Sequence, residues 1–422
     1  MSGGPLLAFY GDDFTGSTDV LEALGSNGLS TVLFTRIPTG REHARFAACR
    51  AVGLAGISRS QSPEWMDENL PAIFGWLRSL DARLCHYKVC STFDSAPRLG
   101  SIGRAMEIGL DTFGQHVAPI VVGAPQMRRY TIGGNLFAGY REGIYRIDRH
   151  PVMASHPATP MDEADLRLHL ARQTALPVIL DGGEVPPEGR HGLLIDVHCE
   201  ASQKAGGRRL RELADAGGRF VVGSSGIEYA LLADGSLLAG AAEDPGFAPL
   251  APVERMAVVS GSCSPTTARQ IRRALDRGFA GVPADFAALA RGDGAKVLDE
   301  ASRMLKEGRS PIVYTALGGE DTQSADAPTN AAVGRALGDI LRALVDRFDL
   351  PRAAIAGGDT SSHALAALDV LALTLRLPVA SSRGSPVCTA HRDGCGHIEI
   401  MLKGGQIGGD DHFAALRDGT IA

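Results

Sequence analysis

Aromatic residues and clusters of positive charge are both scarce in this chain of 422 residues. Phe, Trp and Tyr make up 5% of it, which leaves few rings on which the bases of a single-stranded nucleic acid would stack. The formal net charge is −6, and the chain has no dense run of Lys and Arg. We therefore expect no nucleic-acid partner.

Long apolar segments and a regular set of cysteines are also missing. The apolar stretch at 364–377 is shorter than the roughly 20 residues that cross a bilayer. The first five residues lack the basic and apolar regions of a signal peptide. The seven cysteines are odd in number and scattered, which fits reduced thiols better than a disulfide framework. We expect a cytoplasmic protein with no membrane partner.

Three familiar motifs are absent as well. The chain has no Gly-x-x-x-x-Gly-Lys-Ser/Thr P-loop and no Gly-x-Gly-x-x-Gly after its first predicted strand, which disfavours a dinucleotide fold. It has no Gly-x-Ser-x-Gly elbow, so Ser262 and Ser264 are not predicted to be hydrolase nucleophiles.

Apolar runs instead alternate with helical patterns along most of the chain. This alternation predicts an α/β protein of two three-layer domains with mostly parallel sheets. A stretch of small residues and prolines near residue 245 has no periodicity and predicts a linker. We place the domains at 1–240 and 254–422, with the linker at 241–253. The stretch 126–156 breaks the alternation and predicts a long functional loop or hairpin excursion.

Two adjacent carboxylates follow the first predicted strand. Asp12 and Asp13 come directly after Gly11, and Ser17 or Thr18 is placed to cap the helix that follows. Open α/β sheets bind ligands at the carboxyl ends of their strands. These carboxylates are suited to bind sugar hydroxyls, to hold a cation or to act as a base. The alternative is an Asx-turn that only caps the helix.

Two more strand ends in the first half carry polar side chains, one with a lysine, hydroxyls and a carboxylate, and one with adjacent arginines. Arginine offers a planar fork that matches a substrate carboxylate, although a solvated basic turn is the alternative. If the sheet is parallel, these ends converge with Asp12 and Asp13. The candidates are Lys88, Ser91, Asp94, Gln126, Arg128 and Arg129.

Glycine-centred turns recur in the second half, between predicted strands and helices. Glycines let backbone N–H groups approach a phosphate closely, and neighbouring hydroxyls add donors. Each turn alone is also typical of a helix cap. The candidates for a nucleotide site are Ser262, Ser264, Gly357, Gly358, Asp359, Thr360, Gly404 and Gly405.

Taken together, five of these stretches resemble the motifs of the four-carbon acid sugar kinase family. They lie in the family's order at both ends of the chain, although Cys90 stands where many members carry an acidic residue. The five stretches are Gly11–Gly16, Lys88 with Ser91, Thr92 and Asp94, Gly261–Ser264 with Thr267 and Gln270, Gly357–Ser361, and Lys403–Gly408.

The resemblance implies an N-terminal sugar-acid-binding domain and a C-terminal nucleotide-binding domain, with the active site in a cleft between them. It implies ATP-dependent phosphorylation of a hydroxyl on a small sugar acid, such as threonate, erythronate, 3-oxo-tetronate or 3-oxo-isoapionate. A homo-oligomer is compatible with this reading. Two other classes stay open, a non-catalytic sugar-acid-binding protein and a nicotinamide-dependent dehydrogenase.

On this reading, Asp12 and Asp13 bind the sugar hydroxyls, and one of them orients or deprotonates the attacking hydroxyl. Asp359 is the rival base and the predicted ligand of Mg²⁺. Lys88 and Ser91, with Arg128 or Arg129, hold the substrate carboxylate. The glycine turns of the second half hold the ATP phosphates and ribose.

Overall fold

The computed structural model describes residues 4–156, 158–183, 185–237, 245–318, 327–392, 396–405 and 407–421. The side chains of Ala327, Pro328 and Asp359 also lie outside this description. Eighteen strands and thirteen α-helices lie within the described residues.

The strands are short, and most are buried. They are β1 (Leu7–Gly11), β2 (Thr31–Phe34), β3 (Ala51–Ala55), β4 (Leu84–Lys88), β5 (Val117–Val121), β6 (Arg129–Ile132), β7 (Asn135–Tyr140), β8 (Gly143–Arg146), β9 (Val178–Leu180), β10 (His191–Leu194), β11 (Phe220–Gly223), β12 (Ala257–Ser260), β13 (Ala280–Pro283), β14 (Pro311–Tyr314), β15 (Arg352–Ala356), β16 (Val370–Leu377), β17 (Val387–Arg392) and β18 (His397–Lys403).

The helices begin at recognisable caps in several places, as where Ser62 accepts the N–H of Trp65 and Pro63 opens the helix. They are α1 (Phe14–Gly25), α2 (Gly40–Ala44), α3 (Pro63–Ser79), α4 (Ile102–Phe113), α5 (Leu166–Ala171), α6 (Glu200–Asp215), α7 (Gly226–Asp234), α8 (Pro265–Asp276), α9 (Phe286–Ala290), α10 (Ala295–Lys306), α11 (Ala327–Phe348), α12 (Gly358–Ala367) and α13 (His412–Asp418).

The chain divides into two compact units. The first contains residues 1–12, 23–31 and 39–245, and the second contains 13–22, 32–38 and 246–422. Two short segments near the N-terminus therefore group with the second half of the chain. Residues 241–244 of the predicted linker lie outside the described residues, and the predicted domain boundaries stay a prediction.

The first unit is built on a parallel sheet with the strand order β3-β1-β4-β11-β5-β10-β9. Its central strands are buried on both faces, as their continuous apolar runs predict. Gly11 of β1 lies opposite Lys88 of β4, which in turn lies opposite Gly223 of β11. The candidate residues that follow these strands therefore share one edge of the sheet.

The stretch 126–156, which interrupts the alternation, forms a separate antiparallel sheet. Strand β6 pairs with β7, and β7 pairs with β8, with Tyr130 opposite Phe137 and Ala138 opposite Tyr145. The predicted hairpin excursion is thus present, and it contains one more strand than a single hairpin.

The second unit has five parallel strands in the order β13-β14-β12-β15-β18, followed by β17, β16 and residues 32–34 of β2 in antiparallel pairs. Its core packs Val258, Ile271, Ile312, Met401 and Phe413 together. The prediction of two α/β units with mostly parallel sheets is confirmed. No helix among the described residues is long and apolar enough to cross a membrane.

Candidate active site

Asp12 is fixed by its backbone where β1 ends. Its N–H donates to the carbonyl of Lys88 at 2.9 Å, and its carbonyl accepts the N–H of Arg59 at 3.1 Å. The side chain is only 3% exposed. Burial, with a smaller contribution from the nearby Asp12 charge, raises the pKa of Tyr10 to about 12. Asp12 is thus a buried carboxylate held in place at a strand end, where a ligand group is expected.

Asp13 caps the helix that follows. Its Oδ1 accepts the N–H of Gly16 at 2.8 Å, and its Oδ2 accepts the hydroxyl of Thr15 at 2.9 Å. Helix α1 begins at Phe14, so the prediction that Ser17 or Thr18 caps it is wrong. The hydroxyls of both residues instead donate to carbonyls one turn back. The capping alternative considered for the acidic pair therefore applies to Asp13.

Lys88 and Ser91 lie at the end of β4, beside Asp12. Both are buried, with 2% and 7% of their surface exposed. The N–H of Val89 donates to the carbonyl of Gly223 at 2.7 Å, which fixes the chain as it leaves the strand. Lys88 and Ser91 thus lie at the same sheet edge as Asp12.

Asp94 is surrounded by donors and forms an ion pair with Arg59. The Arg59 Nη2 lies 2.9 and 2.8 Å from its two oxygens, and the hydroxyls of Thr92 and Thr159 donate at 2.5 and 2.8 Å. Burial alone would raise the pKa of Asp94, but the Arg59 charge and these hydrogen bonds lower it to about 2. Asp94 therefore orients Arg59, and both of its oxygens are engaged.

Arg59 was not among the residues singled out from the sequence. It lies in a 3-10 turn, Ser58–Ser60, just after β3, and 27% of its side chain is exposed. Its N–H contacts Asp12 while its guanidinium contacts Asp94. The missed signal was a cation after a strand adjacent to β1, the same pattern that identified Lys88.

Gln126 and Arg128 contact protein groups in the first unit. The amides of Gln126 and Gln203 hydrogen-bond reciprocally at 2.8 Å. The Arg128 guanidinium donates to the carbonyl of Arg141 and, at 2.9 Å, to the carbonyl of Gly143. Arg128 thereby closes the β7–β8 turn.

Arg129 differs from its neighbour. It begins β6, and its Nη1 donates to the carbonyls of Met127 and Arg128 at 3.1 and 3.2 Å. Its Nε is buried and has no hydrogen-bond partner within the described chain. Burial lowers the pKa of this guanidinium. An incompletely paired, partly buried arginine is the better candidate of the two for a substrate carboxylate.

In the second unit, Ser262 and Ser264 shape the turn between β12 and α8. Ser264 caps α8 and accepts the N–H of Thr266 at 3.2 Å. The Ser262 hydroxyl lies 3.1 Å from that of Thr267, which donates to the carbonyl of Gly405 at 3.1 Å. The structure therefore brings the turn at 262–264 together with the loop that follows β18.

The glycines of this region permit close approach. A Cβ on Gly261 would lie 2.3 Å from the Thr360 hydroxyl, and one on Gly405 would lie 3.2 Å from the Ser262 hydroxyl. Gly357 has a φ of +119°, and its Cβ would lie 3.4 Å from the backbone nitrogen of Ser262. The predicted glycine turns thus converge into one cradle of backbone and hydroxyl donors at helix N-termini, an arrangement suited to phosphates.

For the remaining candidate residues of this cradle, the structure describes the position in the chain but fewer side-chain contacts. Gly357 caps α12, which begins at Gly358, and Gly404 follows directly after β18. Thr360 is buried in the first turn of α12. The side chain of Asp359 lies outside the described residues, so its roles as base and metal ligand stay predictions.

Lys403 is a buried cation beneath the cradle that the candidate list did not include. Its Nζ donates to the Thr267 hydroxyl at 3.0 Å and to the carbonyl of Gly404 at 2.8 Å. It is fully buried, and burial lowers its pKa to about 8. No carboxylate in the described chain pairs with it. The sequence feature that could have identified Lys403 was its position directly before Gly404 and Gly405.

Comparisons with known proteins divide the chain into the same two functional halves. Residues 7–231 match the sugar-binding N-terminal domain family, and residues 257–413 match the nucleotide-binding C-terminal domain family. A 3-oxo-isoapionate kinase of Paraburkholderia graminis is 42% identical over 99% of this chain and 95% of the relative. The chain belongs to the four-carbon acid sugar kinase family.

A second relative and a solved structure are less similar in sequence. A 3-oxo-tetronate kinase of Pseudomonas fluorescens is 29% identical over 97% of this chain and 96% of its own length. The solved structure of Haemophilus influenzae protein HI1011 covers 98% of this chain and 100% of its own, at 22% identity and a TM-score of 0.70, which supports the fold. The chain is therefore a sugar-acid kinase that uses a nucleotide, and the alternatives of a non-catalytic sugar-acid-binding protein and a dehydrogenase are not favoured.

Proposed function

We propose that this kinase transfers the γ-phosphoryl group of ATP to a hydroxyl of 3-oxo-isoapionate or a closely similar branched sugar acid. The observation that carries this proposal is the difference in identity between relatives. The 3-oxo-isoapionate kinase shares 42% of its residues with the chain, whereas the 3-oxo-tetronate kinase shares 29% over a similar length.

On the substrate side, Asp12 accepts a hydrogen bond from a sugar hydroxyl. Lys88 and Ser91, which adjoin it at the same sheet edge, hold the remaining oxygens. Arg129 binds the carboxylate, because its guanidinium is incompletely paired, whereas that of Arg128 is engaged by hairpin carbonyls. Arg59, oriented by Asp94, adds a second positive charge near Asp12.

On the nucleotide side, the ATP phosphates lie in the cradle formed by 262–264, 357–360 and 404–405. The close packing around Gly261, Gly357 and Gly405 supports this role, since side chains there would fill the space. Lys403 supplies a buried positive charge beneath the loop. Mg²⁺ would neutralise charge on the phosphates, with Asp359 as the proposed protein ligand.

In the reaction, the substrate hydroxyl oxygen bonds to the γ-phosphorus while the bond to the β,γ-bridging oxygen breaks and ADP leaves. The hydroxyl proton passes to Asp12 in our proposal, because Asp13 serves as a helix cap. Asp359 remains the rival base. Comparing Asp12→Asn, Asp13→Asn and Asp359→Asn separates the roles, and full turnover in all three would refute the assignment.

The substrate proposal is tested by ADP release across a panel of sugar acids. We expect the highest kcat/KM with 3-oxo-isoapionate and lower values with 3-oxo-tetronate, threonate and erythronate. A clear preference for a linear four-carbon acid would contradict the proposed substrate while leaving the kinase activity intact. The predicted active-site cleft between the domains stays a prediction.

A further inference from the structure

The glycine-rich loop that follows β18 has its carbonyl oxygens bound by side chains of the second unit. The Lys403 Nζ donates to the carbonyl of Gly404 at 2.8 Å. The Thr267 hydroxyl donates to the carbonyl of Gly405 at 3.1 Å. The amide nitrogen of Gln270 lies 3.0 Å from each of three more carbonyl oxygens, those of Ile407, Gly408 and Gly409. Three buried side chains therefore hold five carbonyls of one loop.

Gln270 directs both of its amide hydrogens at this loop. The nitrogen, and not the oxygen, must face the three carbonyls, because the opposite orientation would place the amide oxygen against three other acceptors. The Oε1 of Gln270 is buried and has no hydrogen-bond partner within the described chain. A buried acceptor without a partner costs free energy. The fold thus leaves this oxygen unpaired while the nitrogen binds the loop.

The direction of these carbonyls determines the direction of the N–H groups beside them. In a trans peptide unit the N–H points opposite to the C=O, and no peptide bond in the described part of the chain is cis. The N–H groups that follow the three carbonyls held by Gln270 therefore point away from that side chain. They belong to Gly408, Gly409 and Asp410. Successive N–H groups directed to one side form a concave site for an anion.

Hydrogen bonds join this loop to the nucleotide cradle. The Thr267 hydroxyl that binds the carbonyl of Gly405 also lies 3.1 Å from the Ser262 hydroxyl. The Lys403 Nζ donates to the same Thr267 hydroxyl at 3.0 Å. One network thus connects the turn after β12 to the loop after β18.

We propose that Gln270, together with Thr267, is a positioning residue for the nucleotide phosphates. It turns the carbonyl oxygens of the loop toward α8, so that the loop meets the phosphates with its N–H groups. Without the amide these carbonyls could rotate toward the phosphates and repel them. Gln270 does not itself bind the nucleotide. The inference deepens the proposed function and rests on it, because that function places the ATP phosphates in the cradle.

The test compares a nucleotide with the nucleoside that lacks its phosphates. Calorimetry gives the dissociation constants of adenosine and ADP, and the measured quantity is the ratio of the first to the second, which reports phosphate recognition. AMP replaces adenosine where adenosine binds too weakly to measure. Gln270→Met removes the amide at nearly the same size and should lower the ratio about 10-fold or more. Gln270→Glu keeps the shape without the N–H donors and should also lower it.

Thr267 variants give a second arm, which decides the question if the Gln270 variants do not fold, as judged by circular dichroism. Thr267→Val removes the hydroxyl that binds the carbonyl of Gly405, so it should lower the ratio. Thr267→Ser keeps the hydroxyl and should hold the ratio within a few-fold of wild type.

Gln115→Met is the matched control. Gln115 is a buried glutamine of the first unit whose amide donates to the carbonyls of Val117 and Phe220, both at 2.7 Å. Its loss should lower stability and leave the ratio unchanged. An equal fall of the ratio in Gln115→Met would mean that general destabilisation, and not the direction of the loop carbonyls, explains the result.

Two other results would overturn the positioning role. One is a wild-type ratio in folded Gln270→Met and Gln270→Glu. The other is an equal loss of adenosine and ADP affinity in these variants, which would indicate a general distortion of the site. Failure of the proposed function looks different. If the wild type released no ADP with 3-oxo-isoapionate while the ratio still fell in the Gln270 variants, the substrate proposal would fail and the positioning role would stand. If the wild type bound ADP no more tightly than adenosine, both would fail.

Discussion

The two candidate sites use different parts of the chain to meet their ligands. In the first unit the proposed ligand groups are charged side chains at strand ends, with Asp12, Lys88 and Arg129 as the main examples. In the second unit they are backbone N–H groups and hydroxyls around Gly357 and Gly405, with one buried cation below them. A sugar acid has one carboxylate and a few directional hydroxyls, so individual side chains can distinguish it from its relatives. A polyphosphate has many anionic oxygens, and a set of backbone N–H donors can bind them without distinguishing one oxygen from another.

This difference has a consequence for variation. A single side-chain change in the first unit should alter which acid is accepted. In the second unit a side-chain change matters less than a change in backbone shape, because the donors belong to the main chain. The four predictions below test this contrast, from the largest expected effect to the smallest.

Gly357→Ala should have the largest effect. Gly357 has a φ of +119°, which side chains rarely tolerate, and a Cβ there would press on Thr360 at 3.0 Å and on the Ser262 nitrogen at 3.4 Å. We expect ADP affinity to fall by on the order of 100-fold, since the strain displaces the cradle. Sugar-acid affinity should stay near wild type. Both are measured by calorimetry.

Gly278→Ala is the matched control for this change. Gly278 also has a positive φ, +88°, but its Cβ would meet nothing within 4 Å. The variant should therefore lose stability through backbone strain while keeping ADP affinity within a few-fold of wild type. Equal losses of ADP affinity in both variants would mean that general destabilisation, and not cradle shape, explains the result.

Lys403→Met tests the buried cation beneath the cradle. We expect ADP affinity to fall about 10- to 100-fold, because a buried cation near the phosphates is lost. Lys306→Met, at an exposed position on α10, should leave ADP affinity unchanged.

The pH dependence of the wild type sharpens this test of Lys403. Its folded pKa of about 8 lies below the ordinary 10.5. Fewer protons are then bound in the folded state between these values, so stability should rise with pH from 8 to 10.5. ADP affinity should fall as the pH rises through about 8, because the charge of the folded lysine is lost there. A rise in stability and a fall in ADP affinity in the wild type, both absent in Lys403→Met, would identify Lys403 as the titrating group.

Glu22 is a buried carboxylate in the second unit whose oxygens bind backbone N–H groups. Its oxygens accept the N–H groups of Val379 at 2.9 Å and Gly384 at 2.5 Å. Burial raises its pKa to about 7 from 4.5, although these hydrogen bonds oppose the shift. Its contribution to stability is therefore greatest below pH 4.5 and is lost as the pH rises through 7.

Glu22→Gln should remove this pH dependence. Relative to the variant, the wild type should lose up to about 3 kcal/mol between pH 4.5 and 8, measured by urea denaturation. Glu300→Gln, at an exposed position on α10, should show the wild-type profile. A flat difference between wild type and Glu22→Gln would contradict the shifted pKa.

Sequence patterns predicted the α/β class and the polar strand ends, because continuous apolar runs and Gly turns are local signals. They did not predict β17, because the Gly-Ser-Pro turn before it and its Cys and His residues do not resemble a strand. The pairing of residues 32–34 with β16 joins segments more than 300 residues apart, which no local pattern contains.

The same limit applies within the site. Arg128 and Arg129 are equivalent in sequence, but Arg128 adopts a left-handed conformation with a φ of +55° and its guanidinium reaches the hairpin carbonyls. Arg129 begins a strand and keeps a partly unpaired guanidinium. Likewise, Asp94 was grouped with substrate ligands, because its pairing with Arg59 depends on tertiary contacts alone. The sequence singled out these residues but did not rank them.

Asp94→Asn tests whether the first unit needs a carboxylate that orients charge without binding substrate. The folded pKa of Asp94, about 2, lies below the ordinary 3.8. Its contribution is therefore complete above pH 3.8 and is lost as the pH falls through 2. At pH 7 the variant should be less stable by about 2 kcal/mol, and the gap should close as the pH falls from 4 to 2.

Asp215→Asn is the control, because the Arg83–Asp215 pair is exposed and should contribute less than about 1 kcal/mol. Asp94→Asn should also raise KM for the sugar acid several-fold, since Arg59 is no longer oriented, while ADP affinity stays the same. If ADP affinity fell as much as sugar-acid affinity, the two sites would not differ in the way proposed. A change confined to the sugar acid would instead support side-chain recognition in the first unit and backbone recognition in the second.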